Sequence, residues 1–195
     1  MEDLCNLVED WVKTVLYPQQ ILGHPHHKAW EDKLQSPPSS WQPPTQGWLK
    51  INVDVDVRNH KVFLAAVCRD EFGKLLYAWT DSNVKGSSTW AEAHATLLAA
   101  KEASKLQLKY VILEAHSQIV INALNQVSGC SDWEIEDIVA DIRSILDSSC
   151  SSWLAHFVHR DLNFLAHNLA SWAADCSSWG PVTISTIPPW VFCLS

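Results

Sequence analysis

The stretch Lys50-Ile51-Asn52-Val53-Asp54-Val55-Asp56 decides how this chain is read. Apolar Leu49, Ile51, Val53, Val55 and Val57 alternate with Lys50, Asn52, Asp54, Asp56 and Arg58, which is the period of a half-buried β-strand. Alternation places Asn52, Asp54 and Asp56 on one face. Further on, Trp90-Ala91-Glu92-Ala93 opens an alanine-rich helix. An acid inside an apolar run and a second on a helix point to two distant carboxylates meeting at one site.

Working outward, Val62 to Cys68 is a continuous apolar run and Leu75 to Trp79 another. Asp70-Glu71-Phe72-Gly73-Lys74 between them carries turn chemistry, so the first three strands form an antiparallel meander. The helix holding Glu92 is apolar on more than one face and is therefore expected to be central and buried. Ser88 or Thr89 is expected to cap it, which would leave Glu92 in the first turn, where the helix dipole favours a carboxylate. Tyr110 to Leu113 gives a fourth strand and Trp153 to His159 a fifth. Ser117 caps a helix with Ile119, Val120, Ala123 and Leu124 inside, and Ile135, Ile138, Val139, Ile142, Ile145 and Leu146 mark the next. Asn163 is expected to cap the last helix, whose inner face is Leu165, Ala166, Leu169, Ala170 and Ala173. The order is βββαβααβα.

Before the strands, Leu4, Leu7, Val8, Trp11, Val12 and Val15 repeat at helical spacing among Glu2, Asp3, Glu9, Asp10 and Lys13, an amphipathic helix and not a membrane span. Prolines 18, 25, 37, 38, 43 and 44 then break any helical core and mark a linker. The expected organisation is an N-terminal helix and Pro-rich linker over 1–47, one α/β domain over 48–177 and an irregular tail over 178–195. His24, His26 and His27 form a cluster in the linker without a partner Cys or carboxylate at ligand spacing, and read as an exposed patch.

A chain of 195 residues, 47% hydrophobic and 18% charged, suits one core with extensions. The net charge of −8 excludes affinity driven by global phosphate attraction. The loose set Lys74, Lys85, Lys101, Lys105 and Lys109 reads as ordinary solvated faces. Six Cys without C-x-x-C spacing, and no apolar leader before them, point to neither a disulfide framework nor a zinc site among the thiols. The reading is an intracellular protein, nuclear or cytoplasmic, with no membrane partner.

Two more blocks complete a series: Leu113-Glu114-Ala115-His116-Ser117, and Arg160-Asp161-Leu162-Asn163-Phe164-Leu165-Ala166-His167-Asn168-Leu169-Ala170. In order and chemistry the four blocks resemble the type 1 ribonuclease H domain of plant non-LTR retroelement reverse transcriptases and their domesticated descendants, from Trp41 to Cys176. The resemblance implies an α/β ribonuclease H-like fold with a five-stranded mixed sheet flanked by helices. It implies an RNA–DNA hybrid as substrate and Mg²⁺ as cofactor, because two-metal phosphodiester cleavage needs several carboxylate oxygens converging on hard ions. Asp54 matches the first acidic position and Glu92 the second, as metal ligands. His116 stands where the family has aspartate, and His167 at a fourth position where plant members often carry histidine. All four are the candidate catalytic residues, with Mg²⁺ binding weakened or lost.

Glu114 and Asp56 lie one step from the matched positions and are not obvious replacements. Asn52, Ser117 and Asn122 are the candidate polar contacts to substrate. Around the third helix, Asp132, Glu134, Glu136, Asp137, Asp141 and Asp147 surround one Arg143, an acidic surface where some family members are basic. His94, His156 and His159 read as structural or surface residues. Taken singly, an Asp in a strand and a Glu early in a helix are more often structural than catalytic. Matched at four places, they indicate the ancestry of a site. Two functions follow, a hybrid ribonuclease with a weakened centre, or a catalytically inactive module that binds nucleic acid or protein. A third reading is a regulator that binds protein partners through exposed Trp and the stripe of the N-terminal helix, the alternative being that this stripe packs on the chain's own domain.

Overall fold

A computed structural model gives the fold and describes residues 40–58, 61–84, 86–126, 132–177 and 179–192. The expected N-terminal helix, the linker up to residue 39 and the His24, His26 and His27 cluster lie outside them. The elements are β1 (Leu49–Arg58), β2 (Lys61–Arg69), β3 (Leu75–Val84), α1 (Ser88–Lys105), β4 (Tyr110–Ala115), α2 (Gln118–Asn125), α3 (Glu136–Ser149), β5 (Ser152–Phe157), α4 (Phe164–Cys176) and β6 (Gly180–Pro181). Up to α4 this is the βββαβααβα order read from the sequence.

The sheet order is β5-β4-β1-β2-β3-β6. β1, β2 and β3 pair antiparallel, whereas β4 pairs parallel with both β1 and β5. The meander turns through Asp70, whose Oδ1 accepts from the backbone N–H of Phe72 at 3.0 Å and Lys74 at 2.9 Å. Gly73 supplies the left-handed conformation (φ 75°) that this turn requires.

Two apolar clusters lie on opposite faces of the sheet, and the alternation of β2 shows which residue feeds which. Val62, Leu64, Ala66 and Cys68 join Ile51 and Val53 against α1, α2 and α3. Ala65 and Val67 join Leu165, Ala166, Leu169 and Ala170 of α4. Helix α1 is buried as expected, because Ala91, Ala93, Ala95, Ala99, Ala100 and Ala103 are small enough to let its backbone come close to the sheet. Strand β1 departs from the half-buried expectation. Its polar Asn52 and Asp54 are each 1% exposed, because the strand is central and α4 lies over its polar face.

The sheet has six strands and not five. Residues read as an irregular tail add β6, with Trp79 opposite Pro181, and Val182 N–H donates to Ala78 O at 2.8 Å. Ile187 and Val191 then close the α4 cluster. The prolines that hid this segment suit its place, since an edge strand has donors to spare. Other corrections are of boundary. β3 runs past Trp79 to Val84 because the polar Thr80 to Val84 pairs with the near half of β2, and β5 ends at Phe157 because Arg160–Leu162 winds into a 3-10 turn.

Beneath α4 the polar face of β1 is tied into one network. Lys50 Nζ lies 2.6 Å from Glu114 Oε1 with both side chains buried, and also donates to Gln42 O at 2.7 Å. Glu114 Oε2 accepts from Trp41 Nε1 and from Asn52 Nδ2, each at 2.9 Å. Asn52 Oδ1 accepts from Arg69 Nη2 at 2.7 Å, and the Arg69 guanidinium lies 3.3 Å from the Trp41 ring centroid. Burial lowers the Arg69 guanidinium to about 10, which leaves it charged at neutral pH. Asn52 Nδ2 also donates to Asn163 Oδ1 at 3.1 Å, and Asn163 Nδ2 donates to Val53 O at 2.8 Å. Asn163 holds the N-cap position of α4, but its side chain ties the helix to β1 and does not cap it.

Removing one member of this ion pair strands a buried charge. Glu114→Ala is expected to cost about 3–5 kcal/mol in chemical denaturation. Lys50→Met combined with Glu114→Gln removes both charges and keeps an acceptor for Trp41 and Asn52, and should cost markedly less than either charge removed alone. A loss in the double variant equal to the sum of the two single losses would show that the pair is not coupled.

Candidate metal centre

Each element brings one ligand-bearing side chain to the same notch. Asp54 is central in β1, opposite Ala65 of β2, and its Oδ1 accepts from Val55 N–H at 2.8 Å. Glu92 comes from α1, in the second turn and not the first. The N-cap is Ser87, whose hydroxyl accepts from Trp90 N–H at 3.0 Å while donating to Glu134 Oε2 at 2.6 Å. The helix therefore starts earlier than Ser88 or Thr89 as cap would allow, and the dipole of the first turn does not account for a carboxylate at Glu92. His116 follows the last residue of β4, and His167 lies one turn into α4, where its N–H donates to Asn163 O at 3.1 Å.

The His116 ring stands between the two acids. Its Nδ1 is 3.3 Å from Asp54 Oδ1 and its Nε2 is 3.4 Å from Glu92 Oε1. His167 Nδ1 is 3.2 Å from Asp54 Oδ2. These are charge contacts by distance without hydrogen-bond alignment: Asp54 Oδ2, Glu92 Oε2, His116 Nδ1 and His167 Nδ1 are buried atoms that lack a hydrogen-bond partner. Asp54 and Glu92 are 1% and 2% exposed. Burial, reinforced by the Asp54 charge, raises the Glu92 carboxyl well above its usual range, and Arg160 opposes the shift. The Asp54 carboxylate raises the His167 imidazole against burial and the Arg160 charge.

The remaining candidates fall outside this group. Asn52, expected to touch substrate, is buried, and its amide is consumed by Glu114, Asn163 and Arg69. Ser117 is half-buried and caps α2 through Val120 N–H at 3.5 Å. Asn122 is exposed on α2, where its Oδ1 accepts from Gln118 Nε2 at 2.8 Å. Glu114 belongs to the network under α4, and Asp56 Oδ2 is held by Arg58 at 2.9 Å, so neither substitutes for a missing ligand. His94 packs its ring against Trp90, and burial lowers both His94 and His156. Arg160 is the residue that the sequence reading left without a role. It is exposed, and its charge reaches Glu92 and His167. Its membership of the Arg160-to-Ala170 block was the available signal.

The sheet order and layering are those of ribonuclease H, an α/β fold. Ribonuclease H1 from the halophilic archaeon Halobacterium salinarum NRC-1 superposes with a TM-score of 0.60 at 21% identity, over 66% of this chain and 98% of that one. LC11-RNase H1, isolated from compost by a metagenomic approach, gives 0.60 at 17% identity over 68% and 99%. The N-terminal RNase H domain of rv2228c from Mycobacterium tuberculosis gives 0.57 at 15% over 67% and 99%. Residues 52–173 match the family described as reverse transcriptase-like, and the chain belongs to that family. No curated protein matches the chain.

One ligand atom from each of Asp54, Glu92 and His116 lies within 4.8 Å of the others, close enough to hold a divalent ion. The group does not fit a pair of Mg²⁺ ions. Each Mg²⁺ demands a near-octahedral oxygen shell, whereas two carboxylates and an imidazole supply few oxygens and one nitrogen.

A pH test of the His167 contact follows from the raised imidazole. A histidine whose folded value lies above its unfolded value of 6.5 stabilises fully below 6.5 and loses that contribution as pH rises through the folded value. In metal-free protein, the Tm advantage of the wild type over His167→Gln should be greatest below pH 6.5 and shrink above it. An advantage that grows with pH would contradict the contact.

Proposed function

We propose that this is a ribonuclease H-type domain that binds nucleic acid, with the RNA–DNA hybrid as its class of ligand, and whose Mg²⁺-dependent cleavage is reduced to near background. One observation carries the reading: the His116 ring occupies the space between Asp54 and Glu92 where the resemblance calls for a third carboxylate. The family and fold support the nucleic-acid part. LC11-RNase H1, of the same fold, is also known in complex with an RNA/DNA hybrid. The four matched blocks support descent from a plant non-LTR retroelement, and the six Cys without C-x-x-C spacing support an intracellular setting.

The surface chemistry supports modest affinity. Arg143, the one base among the acids around α3, donates to the carbonyls of Ala123, Leu124 and Gln126 at the end of α2 and is thereby occupied. Glu136, Asp137, Asp141 and Asp147 remain exposed on α3, so a phosphate backbone is repelled there. Asn122 on α2 and Arg160, whose charge reaches the notch, are exposed polar groups that could meet a duplex.

The test is a gel assay of hybrid cleavage with Mg²⁺ and with Mn²⁺, beside a binding assay over a salt series. The expected outcome is measurable binding with background cleavage. His116→Asp should raise Mg²⁺-dependent cleavage by about 10-fold or more, because it returns a hard oxygen and a charge to a central position. His167→Asp alone should do much less, and the double variant should exceed either. Vigorous Mg²⁺-dependent cleavage by the wild type, abolished by Asp54→Asn, would overturn the reading.

A further inference from the structure

We infer that Asp54, Glu92 and His116 form a site for one zinc-class divalent ion, a mononuclear centre in place of the paired Mg²⁺ centre.

The donor atoms carry the inference. Two carboxylates and one imidazole are ligand types that zinc accepts and number the three protein ligands of an open zinc site, whereas Mg²⁺ accepts oxygen and dehydrates reluctantly. Imidazole nitrogen suits zinc and its neighbours in the transition series. Bonds of about 2.0–2.2 Å in a tetrahedron put donors roughly 3.3–3.6 Å apart; one donor atom from each of the three residues lies within 4.8 Å of the others, and His116 turns Nδ1 to Asp54 at 3.3 Å and Nε2 to Glu92 at 3.4 Å, of which one nitrogen would bind the ion.

A second observation points independently to a cation. Asp54 and Glu92 are almost completely buried, each with an oxygen that accepts no aligned hydrogen bond, Asp54 Oδ2 having only the 3.2 Å contact to His167 Nδ1, and among the described residues no Lys or Arg forms an ion pair with either. Buried carboxylates near one another are accommodated by a shared proton or by a compensating positive charge, and a bound cation supplies the second. The imidazole sits between them with a nitrogen turned to each. His167 contacts only the Asp54 end and is a rim neighbour, outside the three.

The experiment uses the full chain, stripped of metal and kept reduced, titrated calorimetrically with ZnCl₂ and separately with MgCl₂, with Co²⁺ as the spectroscopic substitute. To remove a competing site, the titrations use a background carrying His24→Ala, His26→Ala and His27→Ala. One Zn²⁺ should bind at least about 100-fold more tightly than Mg²⁺. The Co²⁺ spectrum should show visible bands of low coordination number without the near-ultraviolet charge-transfer band of a thiolate ligand. Glu92→Gln and His116→Gln should each weaken Zn²⁺ by about 100-fold or more, and His167→Ala by less than about 10-fold. Circular dichroism establishes that each variant is folded, and either of the two ligand variants suffices if the other is not. His116→Asp should reverse the order, losing Zn²⁺ and gaining Mg²⁺.

Zn²⁺ binding that is lost in the histidine-cluster background, survives Glu92→Gln and His116→Gln, or carries a thiolate band overturns the inference. The inference takes from the proposed function only that Mg²⁺ is poorly held. Mg²⁺ bound more tightly than Zn²⁺ overturns both, whereas weak binding of both ions overturns the zinc-class site and leaves hybrid binding to its own assay.

Discussion

The buried ion pair between Lys50 and Glu114 is the constraint on which the rest of the site depends. Two charges taken out of water are tolerated only when their remaining donors and acceptors are satisfied, and this pair recruits Trp41, Gln42 and Asn52 to do so, while Asn52 in turn holds Arg69 and Asn163. The network therefore fixes β1, β2, β4 and the start of α4 against one another at a single level of the sheet. Asp54 lies two residues beyond Asn52, His116 two beyond Glu114, and His167 one turn beyond Asn163. Three of the four groups at the notch inherit their positions from the network, and Glu92 is delivered from the opposite side by the close-packed α1.

This arrangement separates structural acids from ligand acids on neighbouring positions of one strand face. Glu114 and Asp56 each have a cation at short range, Lys50 and Arg58, which leaves them no free charge. Among the described residues, the ion-pair contacts of Asp54 and Glu92 are to imidazoles, at 3.2–3.4 Å. The same burial that stabilises the domain through α1 and α4 makes the notch a poor place for two unaccompanied carboxylates, as the raised Glu92 carboxyl shows. The donor at position 116 sets the charge and the ligand chemistry beside them. An aspartate there would add charge and demand more cation; histidine subtracts charge and offers nitrogen.

The outer surface limits partners by the same electrostatics. The charge of −8 is concentrated partly on α3, and the base nearest to it caps α2 instead of facing solvent. A polyanion is repelled from the exposed acids of α3, whereas Arg160 is exposed and its charge reaches Glu92 and His167.

The sequence by itself determined the order of elements, the two-sided burial of α1 and β2, and the convergence of Asp54, Glu92 and His116. Strand and helix periods are local properties, and the four acid and histidine positions fall in blocks whose types and order are legible without coordinates. Tertiary structure decided what each polar residue does once there. Asn52 was read as a substrate contact and Asn163 as a cap, yet both hold the network, because an amide shows its partner only when the strands and helix that carry it are packed. The tail after residue 178 looked irregular because prolines break its periodicity, and its strand exists only where the free edge of β3 accepts it. The orphaned oxygens and nitrogens of the notch are likewise invisible in a sequence: lacking a partner is a property of three-dimensional neighbours, not of residue type.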